Sequence, residues 1–167
     1  MKRPRMSRHF LSFIKIVFWL NLLPCVYFSI YLQHKTNERE MTEQHQLCLV
    51  LSALLLCHYL GDFCLTTKSM IRAKSNGKEY FPILLHAGVH AMLMTLALAL
   101  FGVSFQGCAV AFLIELGSHF LIDTAKSKLS IMYEVLRDNT HKPYWMVYGF
   151  DQLLHILVVV AIIGLCL

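Results

Sequence analysis

Five apolar runs of about 20 residues dominate this chain, roughly 10 to 33, 46 to 65, 82 to 102, 107 to 125 and 144 to 167. A run of that length matches the hydrocarbon thickness of a bilayer when it is helical, and nothing but helices or closed barrels can cross one. Of the 167 residues, 57% are hydrophobic and only 15% are charged, with a mean hydropathy of +0.56, so little is left from which to build a soluble domain. The expected fold is therefore all-α, an integral membrane helical bundle of about five transmembrane helices. Residues 1–45 form an N-terminal transmembrane anchor and external loop, and residues 46–167 a four-helix membrane domain.

The last four runs differ from ordinary spans in their ionisable residues. His58 lies four positions before Asp62, His119 four from both Glu115 and Asp123, and Asp151 four before His155, while the third run carries His86 and His90 at the same spacing. Four residues is the separation that puts two side chains on one helix face. A carboxylate or imidazole in hydrocarbon is costly and persists only when paired, metal-bound or beside water. Each of the four helices thus presents a two-pronged metal claw, and a polar network of hydrogen-bonded core residues is the alternative.

Orientation follows from the basic residues. Lys2, Arg3, Arg5, Arg8 and Lys15 precede or open the first run; Lys68, Arg72, Lys74 and Lys78 follow the second; Lys126, Lys128, Arg137 and Lys142 precede the last. The intervening connections are mixed in charge or uncharged. The positive-inside rule then predicts a cytoplasmic N-terminus and a periplasmic C-terminus. The net charge of +5 is accounted for by this bias and by contact with anionic lipid, so no nucleic-acid partner is expected. The first run is longer than the apolar part of a secretory signal and has no small-residue cleavage site before His34, which reads as an uncleaved anchor.

With that orientation all four pairs fall in one layer of the inner leaflet, at 1.5 Å of rise per residue, and can converge on a single site between facing helices. His58-Tyr-Leu-Gly-Asp62 and His119-Phe-Leu-Ile-Asp123 echo one another, each followed about thirty residues later by a helix that opens with a second pair, as in a membrane protein built of two halves. Imidazoles and carboxylates without sulfur suit zinc, iron or manganese. The cysteines contain no C-x-x-C and read as small buried hydrophobes. The candidate ligands His58, Asp62, His86, His90, His119, Asp123, Asp151 and His155 exceed what one tetrahedral ion needs, which favours two divalent transition-metal ions with Asp62 or Asp123 between them.

Glu115 is the catalytic candidate, as a general base, a ligand or an orienter of the His119 ring; orienter is the preferred role. Lys126 shares a face with Asp123 and is read as a lysine snorkelling to water, with neutralisation of a carboxylate or phosphate binding as alternatives. Gln152 is read as a donor between helices. Gly61, Gly88 and Gly117 are expected to let backbones approach closely. His9, His34, His45 and His141 lie outside the cluster and are given no role.

Taken together, His58-x-x-Gly61-Asp62-Phe63, Lys74, His86-x-x-x-His90, Ser118-His119-Phe120-x-Ile122-Asp123-x-x-Lys126 and Asp151-Gln152-x-x-His155 closely resemble a small bacterial membrane family, domain of unknown function 3307, over residues 46 to 167. The resemblance implies a bacterial inner-membrane location and supports the fold and the site, but it implies no reaction. The family commonly has a glutamine shortly after the Asp-Phe pair; this chain reads Leu65-Thr66-Thr67 there, so no role of that amide carries over. By its His/Asp pairs on membrane helices the chain is also distantly similar to bacterial inner-membrane metal-dependent hydrolases.

Three functions remain open. The first is a metal-dependent hydrolase acting on a lipid or phosphate-bearing substrate at the cytoplasmic leaflet. The second is a non-catalytic membrane partner or regulatory protein with a structural metal or polar network. The third is a small ion or proton carrier, against which the small number of helices argues.

Overall fold

The computed structural model describes residues 43–167; the expected first span, 10 to 33, lies outside the described residues. The described chain runs α1 (Glu43–Tyr59), a π-helical turn (Leu60–Cys64), α2 (Lys68–Asn76), α3 (Tyr80–Leu100), α4 (Phe105–Met132), a 3-10 turn (Glu134–Arg137) and α5 (Lys142–Cys166), with no strand among the described residues. Four segments, Gln44–Cys64, Tyr80–Leu100, Phe105–Met132 and Lys142–Cys166, are long and apolar enough to cross a membrane. The described bundle is all-helical, as the length of its apolar runs predicts.

Local chemistry sets the breaks. Thr67 caps α2, its hydroxyl accepting from the Met70 N–H at 3.3 Å, and Gly77 closes that helix in the left-handed region (φ 60°), where a side chain would be strained. Gly102 (φ 81°) turns the chain between α3 and α4, and Ser104 caps α4 by accepting from the Gly107 N–H at 3.2 Å. Pro143 in the first turn of α5 lacks only a donor that the helix start would leave unpaired anyway.

The interior divides into two layers. Val50 and Leu54 of α1, Met94, Ala97 and Leu98 of α3, Cys108 and Ala111 of α4, and Val159, Ile162 and Ile163 of α5 form an apolar core. The next turns of the same helices carry the buried polar groups: His58, His86, His90, Glu115, His119, Asp123, Asp151 and His155. Outward faces are apolar and exposed, with Met92, Leu96, Leu113, Leu121, Phe150 and Leu157 among them, as lipid contact requires. Met94 packs inside, whereas Met92 faces out.

Four features differ from the sequence reading. α4 continues to Met132 rather than stopping near 125, so it is about 42 Å long and its last turns project past the apolar layers. The projection is buttressed by α2: Ser127 is buried and donates to the Lys74 carbonyl at 2.6 Å. Second, a π-helical turn ends the first described span. Third, a methyl group added at Gly61 would overlap the His90 ring, whereas Gly88 and Gly117 have open space where a Cβ would stand, so close approach explains Gly61 alone of the three. Cysteines do not all pack inside either: Cys108 is buried, but Cys48 and Cys64 are exposed on outward helix faces.

Candidate metal centre

The π turn places Asp62. Inserting one residue into a helix re-aims the side chains around it, and here the Leu65 N–H reaches back five residues to the Leu60 carbonyl at 3.0 Å. Thr66 secures the turn by donating its hydroxyl to the carbonyls of Gly61 and Asp62 at 2.8 and 2.7 Å. This threonine thus holds the backbone under Asp62.

Asp62 is the junction of the cluster. Its Oδ1 lies 3.1 Å from His86 Nε2, 3.4 Å from His90 Nε2 and 3.7 Å from Lys74 Nζ; its Oδ2 lies 3.5 Å from His58 Nε2 and accepts from Gln152 Nε2 at 3.1 Å. Asp123 plays the corresponding part on α4. Its Oδ2 stands 2.7 Å from Lys74 Nζ, 3.5 Å from His119 Nε2 and 3.7 Å from His86 Nε2, and its Oδ1 stands 3.8 Å from His155 Nε2.

His119 is the centre of the imidazoles. Its ring centroid is 3.9 Å from that of His90, 4.1 Å from His155, 5.1 Å from His86 and 5.6 Å from His58. Glu115, one turn earlier on α4 and buried, accepts from His119 Nδ1 at 3.1 Å. An imidazole whose Nδ1–H is engaged in this way keeps its lone pair on Nε2, the atom that faces Asp123.

Several of these atoms have no hydrogen-bond partner although they are buried: His58 Nε2, His90 Nε2 and His119 Nε2 among the nitrogens, and Asp123 Oδ2 among the oxygens, whose 2.7 Å approach to Lys74 is an ion pair without hydrogen-bond alignment. Buried polar groups are nearly always satisfied, and a concentration of imidazole nitrogens that stand near carboxylates without hydrogen bonds fits a cation. The donor chemistry fits as well. His58, His90, Glu115 and His119 form one group whose ligand atoms lie within 4.8 Å of one another; Asp62, His86, His90 and His119 form a second, and His119, Asp123 and His155 a third. His119 is common to all three groups and His90 to the first two, so they describe one joined centre rather than three separate sites.

Asp151 is the predicted ligand that stands apart. It belongs to none of the three groups; its Oδ2 accepts from Lys126 at 2.6 Å and from Gln152 at 3.4 Å, and its Oδ1 is 3.7 Å from His155 Nε2. Lys126 is correspondingly not a freely snorkelling lysine: it neutralises Asp151, the alternative role, and lies 4.8 Å over the Tyr148 ring. Gln152 donates between helices as read, from α5 to Asp62. His141 pairs with Asp138 at 3.6 Å in an exposed turn, remote from the cluster's chemistry.

Lys74 is the residue that sequence reasoning underused. It counts as a basic loop residue by composition, yet its Nζ lies among Asp62, Asp123 and His86, the last at 2.8 Å. The available signal was its register. Lys74 follows Met70 by four residues on a short capped helix whose buried positions are Met70 and Ala73, so it continues the inward face.

The geometry defines a class: a four-helix membrane bundle with a buried histidine and carboxylate centre at one end of its interior. The family described as protein of unknown function DUF3307 matches residues 50–166, and the chain belongs to it. No curated protein and no solved structure matches the chain.

Proposed function

We propose that this protein is a metal-dependent hydrolase of the membrane, with its centre opening at the cytoplasmic leaflet of a bacterial inner membrane. The observation that carries the proposal is the convergence of five imidazoles with Asp62, Glu115 and Asp123, several of their ligand atoms buried without hydrogen-bond partners. Two divalent ions of zinc, iron or manganese would divide the donors between a side formed by His58, Asp62, His86 and His90 and a side formed by His119, Asp123 and His155. When bound, such ions supply hydroxide near neutral pH and stabilise charge on the displaced oxygen.

The chain's own residues do the rest. Glu115 holds the His119 ring, and Gln152 holds Asp62, so that two ligands are oriented before any cation arrives. Apolar helices around the cluster exclude bulk water, which strengthens each electrostatic contact. Lys68, Arg72 and Lys78 on and beside α2 suit recruitment of an anionic lipid or lipid-linked phosphate. In the net reaction water adds its oxygen to the phosphorus or carbonyl carbon, and its proton leaves on the departing oxygen.

A second reading has one observation in its favour: Lys74 already gives Asp62 and Asp123 a counter-charge, as a purely polar, non-catalytic network would need. Metal analysis separates the two. Wild-type protein should purify with close to two transition-metal ions per chain, and His86→Ala combined with His90→Ala should lose them. Equal trace metal in both proteins would leave only the network.

A further inference from the structure

The Lys74 ammonium sits where a cation's charge belongs. It is 2.7 Å from Asp123 Oδ2, 2.8 Å from His86 Nε2 and 3.7 Å from Asp62 Oδ1, so one side chain touches both halves of the candidate metal centre. An ammonium carries three donors and no acceptor, so His86 Nε2 must direct its lone pair at Lys74. That lone pair is the one a metal would use. The same nitrogen then has no proton to share with Asp62 Oδ1, although the two atoms are 3.1 Å apart.

We propose that Lys74 is a tethered cation that competes with metal for this centre: it holds Asp62 and Asp123 together before loading, and metal entry expels it toward the water boundary. This rests on the metal-binding reading above. Two observations support the movement. First, the Lys74 side chain is 26% exposed, whereas those of Asp62, His86 and Asp123 are 11%, 1% and 2% exposed, so Lys74 is the most open member of these contacts. Second, the Lys74 backbone is anchored, because Ser127 donates to its carbonyl at 2.6 Å and Arg137 donates to the next carbonyl, that of Ser75, at 3.2 Å. The helix is held and the four-carbon stem is free to turn, which makes the exchange a change of rotamer rather than a movement of α2.

Competition has a sign. Two like charges at contact distance in a poorly solvated site repel strongly, and a lysine that must first leave weakens metal binding by the free energy of its two ion pairs. Removing it therefore tightens binding, which is the opposite of what removing a supportive second positive group or a structural residue would do.

The test uses the full chain in detergent or nanodiscs, with zinc as the probe. Zinc affinity is measured for wild type and for Lys74→Met, which keeps the length of the stem without the charge. In parallel, wild type is treated with an acylating reagent for amines at increasing zinc, and modification of Lys74 and Lys126 is read by peptide mass spectrometry. Lys126 is the internal control, since its partner Asp151 lies outside the three ligand groups. The expected result is zinc binding tighter by about tenfold or more in Lys74→Met, from the loss of a contact repulsion, and Lys74 modification that rises with zinc while Lys126 stays constant. Unchanged or weaker zinc binding in Lys74→Met, or Lys74 modification indifferent to zinc in a protein that binds it, would overturn the exchange while leaving the metal reading intact. If Lys74→Met does not fold, the labelling arm on wild type decides alone. Absence of zinc from both proteins would overturn the metal reading, and the exchange with it.

Discussion

Substituting Gly61 by alanine tests whether the π turn and the His90 ring are one fitted unit. Gly61 is buried, and the new methyl group would overlap three atoms of an imidazole that is itself only 1% exposed. The ring cannot retreat without disturbing its neighbours, since its centroid lies 3.9 Å from that of His119 and 4.6 Å from that of His86. Overpacking of this kind costs about 1–3 kcal/mol. Alanine for glycine in a helix otherwise gains roughly 0.5–1 kcal/mol, and that gain is what Gly88→Ala and Gly117→Ala should show, because a Cβ at either position meets nothing. The three variants should therefore separate in stability, with Gly61→Ala below the other two by about 1–3 kcal/mol. Unfolding in mixed micelles with increasing dodecyl sulfate, followed by helical circular dichroism, measures the order. Zinc affinity should fall in Gly61→Ala alone, as His90 Nε2 is moved from Asp62. Equal stability of all three variants would refute the fit of Gly61 against His90 and, with it, the role of the π turn in setting the centre.

Glu115→Gln keeps the size of the side chain and can still accept from His119 Nδ1, so it should fold and retain most of its metal while losing function in complementation or in hydrolysis of a lipid phosphate; full function with full metal would exclude Glu115 from the mechanism. Loss of metal from that variant would instead make Glu115 a ligand. Orientation is tested by reporter fusions after Lys78 and Lys142, expected in the cytoplasm, and at Leu167, expected in the periplasm; a cytoplasmic C-terminus would remove the inner-leaflet placement. In the turn before α5, Asp138 accepts from the Thr140 N–H at 2.9 Å and its hydroxyl at 2.8 Å, and these bonds hold the carboxyl below the usual carboxylate range. Because the folded value lies below the unfolded one, the turn should keep this support above the ordinary carboxylate range and lose it as pH falls through the folded value. The protection factor of the Thr140 amide, which takes out the intrinsic pH dependence of exchange, should fall on acidification in wild type and stay flat over the same range in Asp138→Asn.

The two readings of the cluster make different demands on its carboxylates. A polar network needs each charge compensated once; Lys126 does this for Asp151, but Asp62 and Asp123 share the single charge of Lys74. His58 and His90 stand beside Asp62 at 3.5 and 3.4 Å, yet their Nε2 atoms find no hydrogen bond. A metal centre would use both nitrogens and would supply the charge that Lys74 alone does not. Removing one ligand from a loaded centre would strand a buried charge, so metal content and activity should fall together for Asp62, His119, Asp123 and His155.

The sequence by itself determined the class of fold, because bilayer thickness and backbone hydrogen bonding leave an apolar run of about 20 residues few alternatives to a spanning helix. It also determined which residues share a helix face, since a spacing of four is a property of the helix and not of its neighbours. Its errors lie where contact between elements decides. Lys74 and Lys126 are ordinary basic residues until α2 folds back against the projecting end of α4, and α5 brings Asp151 to Lys126. Asp151 has the same spacing from a histidine as the other acids, yet a lysine reaches it first and it stands outside the ligand groups. Gly61 cannot be distinguished from Gly88 or Gly117 by composition; only the ring that arrives from α3 gives it a reason. The π turn, one extra residue held by Thr66, leaves no periodic trace in so short a segment, but it aims Asp62 at the centre. Periodicity reports the direction of each side chain from its own helix axis, and what that direction meets is settled by packing between helices.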